Sequence, residues 1–257
     1  MLDRLWALVR DYALPPRCPA CLAVMATADG FCPDCWRQLG FPHGAGCAAC
    51  GADLPDGAQP GSRCAPCLAA PPDHDGIHAA LYYGPVARGV AIRLKHGRRP
   101  AMARVMAGLM AGHAAREPDA LLVPVPLHRW RLWRRGFNQS LLIARAIARR
   151  TGHRVAPNLI VRRRATPLLR GLGRRARHKA LRGAFAVPSE CRAELAGRTV
   201  LLVDDVHTSG ATANGCARAL KRAGAARVVL LCWARVRPDG PEDQDWPEAG
   251  DMRPGAA

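Results

Sequence analysis

Eight of the chain's eleven cysteines fall into four Cys-x-x-Cys pairs: Cys18 with Cys21, Cys32 with Cys35, Cys47 with Cys50, and Cys64 with Cys67. Ten residues separate the first two pairs and thirteen the last two, which is two ribbon-like spacings in succession. A CxxC turn offers two thiolates to one tetrahedral Zn²⁺, and two such turns close a four-cysteine site with no open coordination position, a structural arrangement rather than a catalytic one. The surrounding segment is rich in Cys, Gly, Pro and Ala and poor in large apolar residues, so metal coordination supplies folding free energy that burial there does not. Thioredoxin-like redox pairs, iron–sulfur ligation and disulfides are the competing uses, and four evenly organised pairs fit none of them as well as zinc. The spacing leaves open whether one or two ions bind and whether the pairs are consecutive or interleaved. Cys191, Cys216 and Cys232 lie outside this module, and the last two are expected to be packing residues.

A reducing compartment makes this use of cysteine natural. The start, MLDRLWALVRDYALPP, carries Asp3, Arg4, Arg10 and Asp11 before any sustained apolar run and lacks the order of a signal peptide. No apolar stretch approaches the ~20 residues a spanning helix needs, so the expectation is a cytoplasmic protein with no membrane insertion. The formal charge is +18. From Arg88 to Phe185 there are 24 Lys or Arg against only Glu117 and Asp119. Such a stretch attracts polyanions, although an Arg-, Ala- and Gly-rich genomic composition accounts for it equally well.

Four segments divide the chain. Residues 1–14 suggest a short amphipathic helix that Pro15 and Pro16 stop, and 15–70 hold the double zinc ribbon. Residues 77–237 alternate strand-like and helix-like segments, the pattern of an α/β fold with a mostly parallel sheet flanked by helices. The Pro-, Gly- and acid-rich end, 238–257, reads as a disordered tail.

Within the α/β segment, VLLVDDVHTSGAT joins an apolar strand ending in Asp204 and Asp205 to a small-residue loop and a helix. In an open α/β sheet ligands bind beyond the carboxyl ends of strands, so both carboxylates are expected in a pocket. The loop amides and the helix N-terminus form an anion site, to which the hydroxyls of Thr208, Ser209 and Thr212 add donors. Acids beside a phosphate nest suit a phosphorylated sugar. A Walker B strand is the rival reading, but the chain contains no Walker A sequence.

The segment resembles the phosphoribosyl pyrophosphate signature of type I phosphoribosyltransferases. Its combination with the cysteine pairs, RLKHG (Arg93 to Gly97), VPVPLHRWRLWRRGFNQS (Val123 to Ser140) and GAF (Gly183 to Phe185) resembles the ComF family of competence-associated proteins. The resemblance implies that Asp204 and Asp205 contact the ribose hydroxyls and that Thr208, Ser209, Gly210, Ala211 and Thr212 hold the 5′-phosphate. It makes Lys95, His96 and Gly97 the pyrophosphate loop, and sets Arg135 and Asn138 in a region that covers the pyrophosphate. Catalysis is then expected to rest on Lys95, Arg135, Asp204 and Asp205. Where family members often carry a Gln and an Asn, this chain has Leu169 and Ala180, so the acceptor is not identified.

Two functions of different class follow. One is a transferase in which an unknown nucleophile displaces pyrophosphate from the anomeric carbon, with Mg²⁺ held mainly by substrate oxygens and water. The other is a non-catalytic sensor that binds single-stranded DNA, with competence-machinery proteins as further partners. For DNA the residues are Arg129, Trp130, Trp133 and Arg134, with Arg174, Arg175 and Arg177 in the basic run Arg162 to Arg182. Trp130 and Trp133, three apart, are more simply expected to pack one helix face against the sheet.

Overall fold

The computed structural model describes residues 15–28, 30–43, 46–95, 99–164 and 181–237. The expected N-terminal helix, the tail, His96, Gly97, Arg174, Arg175 and Arg177 lie outside the described residues.

Thr199–His207 forms strand β5, whose central residues are buried on both faces. Its alternating side chains enter two different cores: Leu201 and Val203 on one side, Val200 and Leu202 on the other. A strand that is apolar throughout needs cover on both faces, and the helices supply it. The strands are β1 (Ile77–Tyr82), β2 (Leu121–Pro124), β3 (Val161–Arg162), β4 (Phe185–Ala186), β5 and β6 (Arg227–Arg235). A four-stranded sheet runs β1-β6-β5-β2, and every pairing in it is parallel. The short β3 and β4 pair antiparallel beside it.

The helices are α1 (Pro33–Arg37), α2 (Ala65–Ala69), α3 (Pro85–Lys95), α4 (Met102–Ala114), α5 (Arg129–Arg135), α6 (Gln139–Thr151), α7 (Arg192–Leu195) and α8 (Ala211–Arg222). Val90 and Leu94 of α3, Met106 and Met110 of α4, and Ile143 and Ile147 of α6 fill the first core. Cys216, Ala217 and Leu220 of α8 fill the second with Leu181 and Phe185. Cys216 and Cys232 are fully buried, as packing residues should be, while Cys191 is half-buried.

The two ribbons meet this body differently. Cys18, Ala20, Cys35 and Leu39 of the first belong to the same core as α3, α4 and α6, and Phe31 stacks on the buried Trp233 with ring centroids 6.4 Å apart. The expectation of a core-poor module therefore needs revision for the first ribbon, which borrows the apolar surface of the sheet domain. Cys47, Ala49, Ala52 and Cys67 form a small cluster of their own. The second ribbon is tied to the sheet through polar contacts: Arg235 donates to the Cys50 carbonyl at 2.9 Å, and the Tyr82 hydroxyl to Asp53. The segment that follows lies along α8, where Asp73 pairs with Arg218 and Asp75 with Lys221.

Candidate functional site

Each cysteine quartet is built from the same parts. Arg17 and Val24 bridge around the Cys18–Cys21 turn, and Gly46 and Asp53 bridge around Cys47–Cys50. The turns close by N–H groups of Leu22 and Gly51 donating to the carbonyls of Cys18 and Cys47 at 2.9 and 2.7 Å. The other two pairs begin at the N-caps of α1 and α2, Cys32 and Cys64, where a proline stands at the first or second position of each helix. Within each quartet all four sulfurs lie within 4.8 Å of one another, and the pairs are consecutive rather than interleaved. The Sγ atoms of Cys21 and Cys32, and of Cys50 and Cys64, are 3.6 Å apart. Tetrahedral zinc with bonds of about 2.3 Å sets its sulfurs about 3.8 Å apart, so both quartets fit the ion. Backbone N–H groups also point at sulfur, Cys64 N–H at Cys47 Sγ (3.3 Å) and Ala52 N–H at Cys50 Sγ (3.4 Å). Burial raises the thiols of Cys18 and Cys47, but backbone N–H donors outweigh it and bring them down to about 7 and about 6. These are structural zinc-ribbon sites.

The second site lies at the carboxyl ends of β2 and β5. Asp204 and Asp205 fall three and two residues before the end of β5, so the strand runs a little past them. Asp205 is buried, with 4% of its surface exposed. Lys95, the last residue of α3, reaches its Oδ2 with Nζ at 2.6 Å. Burial opposes the lysine's charge, yet Asp205 and then Asp204 hold its ammonium above the usual range. Asp204 behaves oppositely. Burial first and the neighbouring Asp205 second raise its carboxyl to about 7, against the pull of Lys95.

Arg135 ends α5 and donates to Gln139 Oε1 at 2.6 Å, and its charge is felt by both Lys95 and Asp205. The structure thus gathers Lys95, Arg135, Asp204 and Asp205, expected from separate stretches of sequence. Asn138 caps the next helix, α6. Its Oδ1 accepts from the N–H groups of Ser140 and Leu141, while its Nδ2 donates to the Val125 carbonyl at 3.1 Å. That cap delivers a residue sequence reasoning missed: Ser140, fully buried, donates from Oγ to Asp204 Oδ1 at 3.2 Å. Arg162 was missed too. Its guanidinium lies over the Phe185 ring and within electrostatic reach of Asp204. Ser140 closes the VPVPLHRWRLWRRGFNQS motif and Arg162 opens the basic run, but neither position in sequence discloses a link to an acid at 204.

Thr208, Ser209 and Gly210 bend from β5 into α8. Gly210 is the N-cap of α8 at φ +75°, and it has no side chain to cap the first turn. The amides there remain oriented for an anion. A Cβ at Gly210 would also come within 3.3 Å of the His207 ring, and His207 in turn meets the buried His74 edge to face.

Trp130 and Trp133 do not pack against the sheet. Helix α5 has no buried residue; the two rings are 59% and 75% exposed and stack on each other at 5.2 Å. Arg129, Arg131 and Arg134 share the same seven-residue helix. The three-residue spacing put both rings on one side, as expected, but that side faces away from the core.

Comparison with known proteins agrees with this architecture. Residues 9–68 match the double zinc ribbon domain family and residues 140–253 the phosphoribosyl transferase domain family. Competence protein F of Haemophilus influenzae is 30% identical over 230 residues, covering 86% of this chain and 97% of its own. DNA utilization protein YhgH of Escherichia coli K12 is 31% identical over 231 residues, covering 82% and 100%. Among solved structures, phosphoribosylpyrophosphate synthetase from Mycobacterium smegmatis aligns over 52% of this chain and 33% of its own, with 18% identity and a TM-score of 0.32. For glutamine phosphoribosylpyrophosphate amidotransferase from B. subtilis the figures are 55%, 30%, 19% and 0.37. A double zinc ribbon joined to a phosphoribosyltransferase-type α/β domain is the class this chain represents. It belongs to the ComF family, with competence protein F and YhgH among its relatives.

Proposed function

We propose that the chain binds phosphoribosyl pyrophosphate with Mg²⁺ at the carboxyl ends of β2 and β5, and transfers the phosphoribosyl group to an acceptor with release of pyrophosphate. The observation that carries this reading is the 2.6 Å pair of Lys95 with Asp205, beside Asp204 and next to the N-terminus of α8. Two acids, a cation and an anion nest at one strand end match the three parts of the ligand. Asp204 and Asp205 accept from the ribose hydroxyls, and the 208–212 loop takes the 5′-phosphate. Lys95 turns from Asp205 toward the pyrophosphate as the hydroxyls replace it. Each partner of the ion pair thus exchanges one polar contact for another, which keeps the desolvation cost low.

In the transfer step the acceptor's lone pair forms a bond to the anomeric carbon, the bond from that carbon to the pyrophosphate oxygen breaks, and pyrophosphate leaves with the electron pair. Lys95 and Arg135 offset its growing negative charge, and the acids stabilise the oxocarbenium-like sugar. Mg²⁺, held by ligand oxygens and water, supplies further charge neutralisation. Residues 15–70 are on this reading a structural module and 77–237 the ligand domain, in a cytoplasmic protein. Its relatives competence protein F and DNA utilization protein YhgH tie this reading to competence and DNA utilization.

Calorimetry with phosphoribosyl pyrophosphate and Mg²⁺ tests the binding half. Asp204→Asn with Asp205→Asn is expected to weaken binding by roughly two orders of magnitude, the loss of two charge-assisted contacts. Equal affinity in both proteins removes the assignment. Pyrophosphate release on adding fractions of cell extract tests the transfer half, and a protein that binds yet never turns over is a sensor.

A second reading is supported by the exposed Trp130–Trp133 stack among Arg129, Arg131 and Arg134. Single-stranded DNA offers bases to stack on the rings and phosphates to the guanidinium groups. Affinity for an oligonucleotide should fall as salt rises and on Trp130→Ala with Trp133→Ala. Affinity indifferent to both counts against this reading.

A further inference from the structure

RLKHG contributes Lys95 to the pocket, but its first residue points elsewhere. Arg93, two residues earlier on α3, donates from Nη1 to the carbonyls of both Pro19 and Ala20. Those carbonyls belong to the two residues between Cys18 and Cys21, the first knuckle of the first metal site. Between them on α3, Leu94 is fully buried in the core that also holds Cys18, Ala20 and Cys35. The last turn of α3 is therefore clamped from two sides, by the knuckle through Arg93 and by Asp205 through Lys95.

We propose that Arg93 is a positioning residue that couples the closed first cysteine knuckle to Lys95, so that the first zinc ribbon sets affinity for the phosphorylated ligand and the second does not. The proposal rests on the reading of Lys95, Asp204 and Asp205 as a phosphoribosyl pyrophosphate pocket. Metal-closed geometry holds the Pro19 and Ala20 carbonyls side by side as acceptors. A half-buried guanidinium needs such acceptors, since an unpaired charge there is costly. When the knuckle relaxes, Arg93 loses both, and the end of α3 that presents Lys95 loses its outer anchor. Among the described residues, the second ribbon's named ties run elsewhere. Its cluster is separate, and its ties through Arg235 and Tyr82 end on β6 and β1 rather than on α3.

Coupling of this kind is reciprocal: whatever the knuckle does for the ligand, the ligand does for the knuckle. The decisive experiment uses the full zinc-loaded chain and a zinc-selective chelator, with cysteine alkylation read peptide by peptide in the mass spectrometer. Phosphoribosyl pyrophosphate with Mg²⁺ is expected to slow alkylation of Cys18, Cys21, Cys32 and Cys35 by about fivefold or more and to leave Cys47, Cys50, Cys64 and Cys67 at their original rate. Equal protection of both quartets, or none, overturns the proposal; selective protection that persists in Arg93→Met overturns the role of Arg93 and assigns the effect to the core the first ribbon shares with the sheet domain.

Two variants separate hydrogen bonding from packing. Arg93→Met keeps the aliphatic stem and removes the donors, and Arg93→Lys restores a cation. Calorimetry should show weakened ligand binding in the first, partial recovery in the second, and unchanged zinc content in both. Ligand binding by Arg93→Met as tight as by Arg93→Lys overturns the role given to the donors. The chelator measurement needs only the unaltered protein, so a variant that fails to fold does not shield the idea. If the unaltered protein does not bind the ligand at all, the pocket reading fails and this inference falls with it; binding without selective protection refutes the coupling alone.

Discussion

Leu22 and Gly51 stand at equivalent places, one residue past the second cysteine of each first knuckle, and both have positive φ, 69° and 67°. The left-handed conformation costs a residue with a Cβ roughly 1–2 kcal/mol. Leu22 bears that cost and, at 38% exposure, recovers little by burial. Leu22→Gly is accordingly expected to stabilise the protein by about 1 kcal/mol in chemical denaturation. Gly51→Ala should do the reverse and by more, because its Cβ would also stand 2.9 Å from the Arg235 guanidinium. Asp204 offers a second test at this scale. Its carboxyl is raised to about 7 by burial and by Asp205, so between pH 4 and 7 the folded chain holds a proton that the unfolded chain has released. Stability from this group falls as pH rises through that window. Asp204→Asn is expected to stabilise by roughly 2–4 kcal/mol at pH 8 and by almost nothing at pH 4. A gain independent of pH would assign it to something other than the carboxyl.

Among the elements, β5 and α8 were legible in sequence because an apolar run, two acids, a hydroxyl-rich loop and a helix follow one another along ten or so residues. The local order is itself the structure there. Helix α5 shows the opposite case. Trp130 and Trp133 have the spacing of a packed face, but spacing says only that two side chains share a side, and the side proved to be the solvent one. The β3–β4 pair went unread, since strands of two residues carry no periodicity and their partners are far apart in the chain. Ser140 and Arg93 were hidden for the same reason. Each matters through a partner more than 60 residues away. The exposure of α5 has a measurable result: replacing both tryptophans by alanine should change unfolding free energy by no more than about 0.5 kcal/mol. A buried Trp would cost about 3–5 kcal/mol, so a loss in that range would mean that α5 does pack.

Over the whole molecule, the first ribbon shares its core with the sheet domain and the second does not. Stripping zinc with a chelator should therefore lower the melting temperature of the sheet domain itself, and a sheet transition unmoved by zinc loss would contradict the shared core. The same picture explains why the boundary near residue 70 was visible as a change of composition while the contact across it was not, since Phe31 meets Trp233 only after both ends have folded. The strand order bears on how the chain is made. β1 has a single neighbour in the sheet, β6, and β6 is the last strand of the described chain. At ribosomal speeds of about 5–20 residues per second, β1 waits roughly 10–30 s for its partner. During that interval the cysteine quartets are already complete and able to load metal. The edge of β1 stays unpaired until β6 arrives, long before the chain has a pocket to fill.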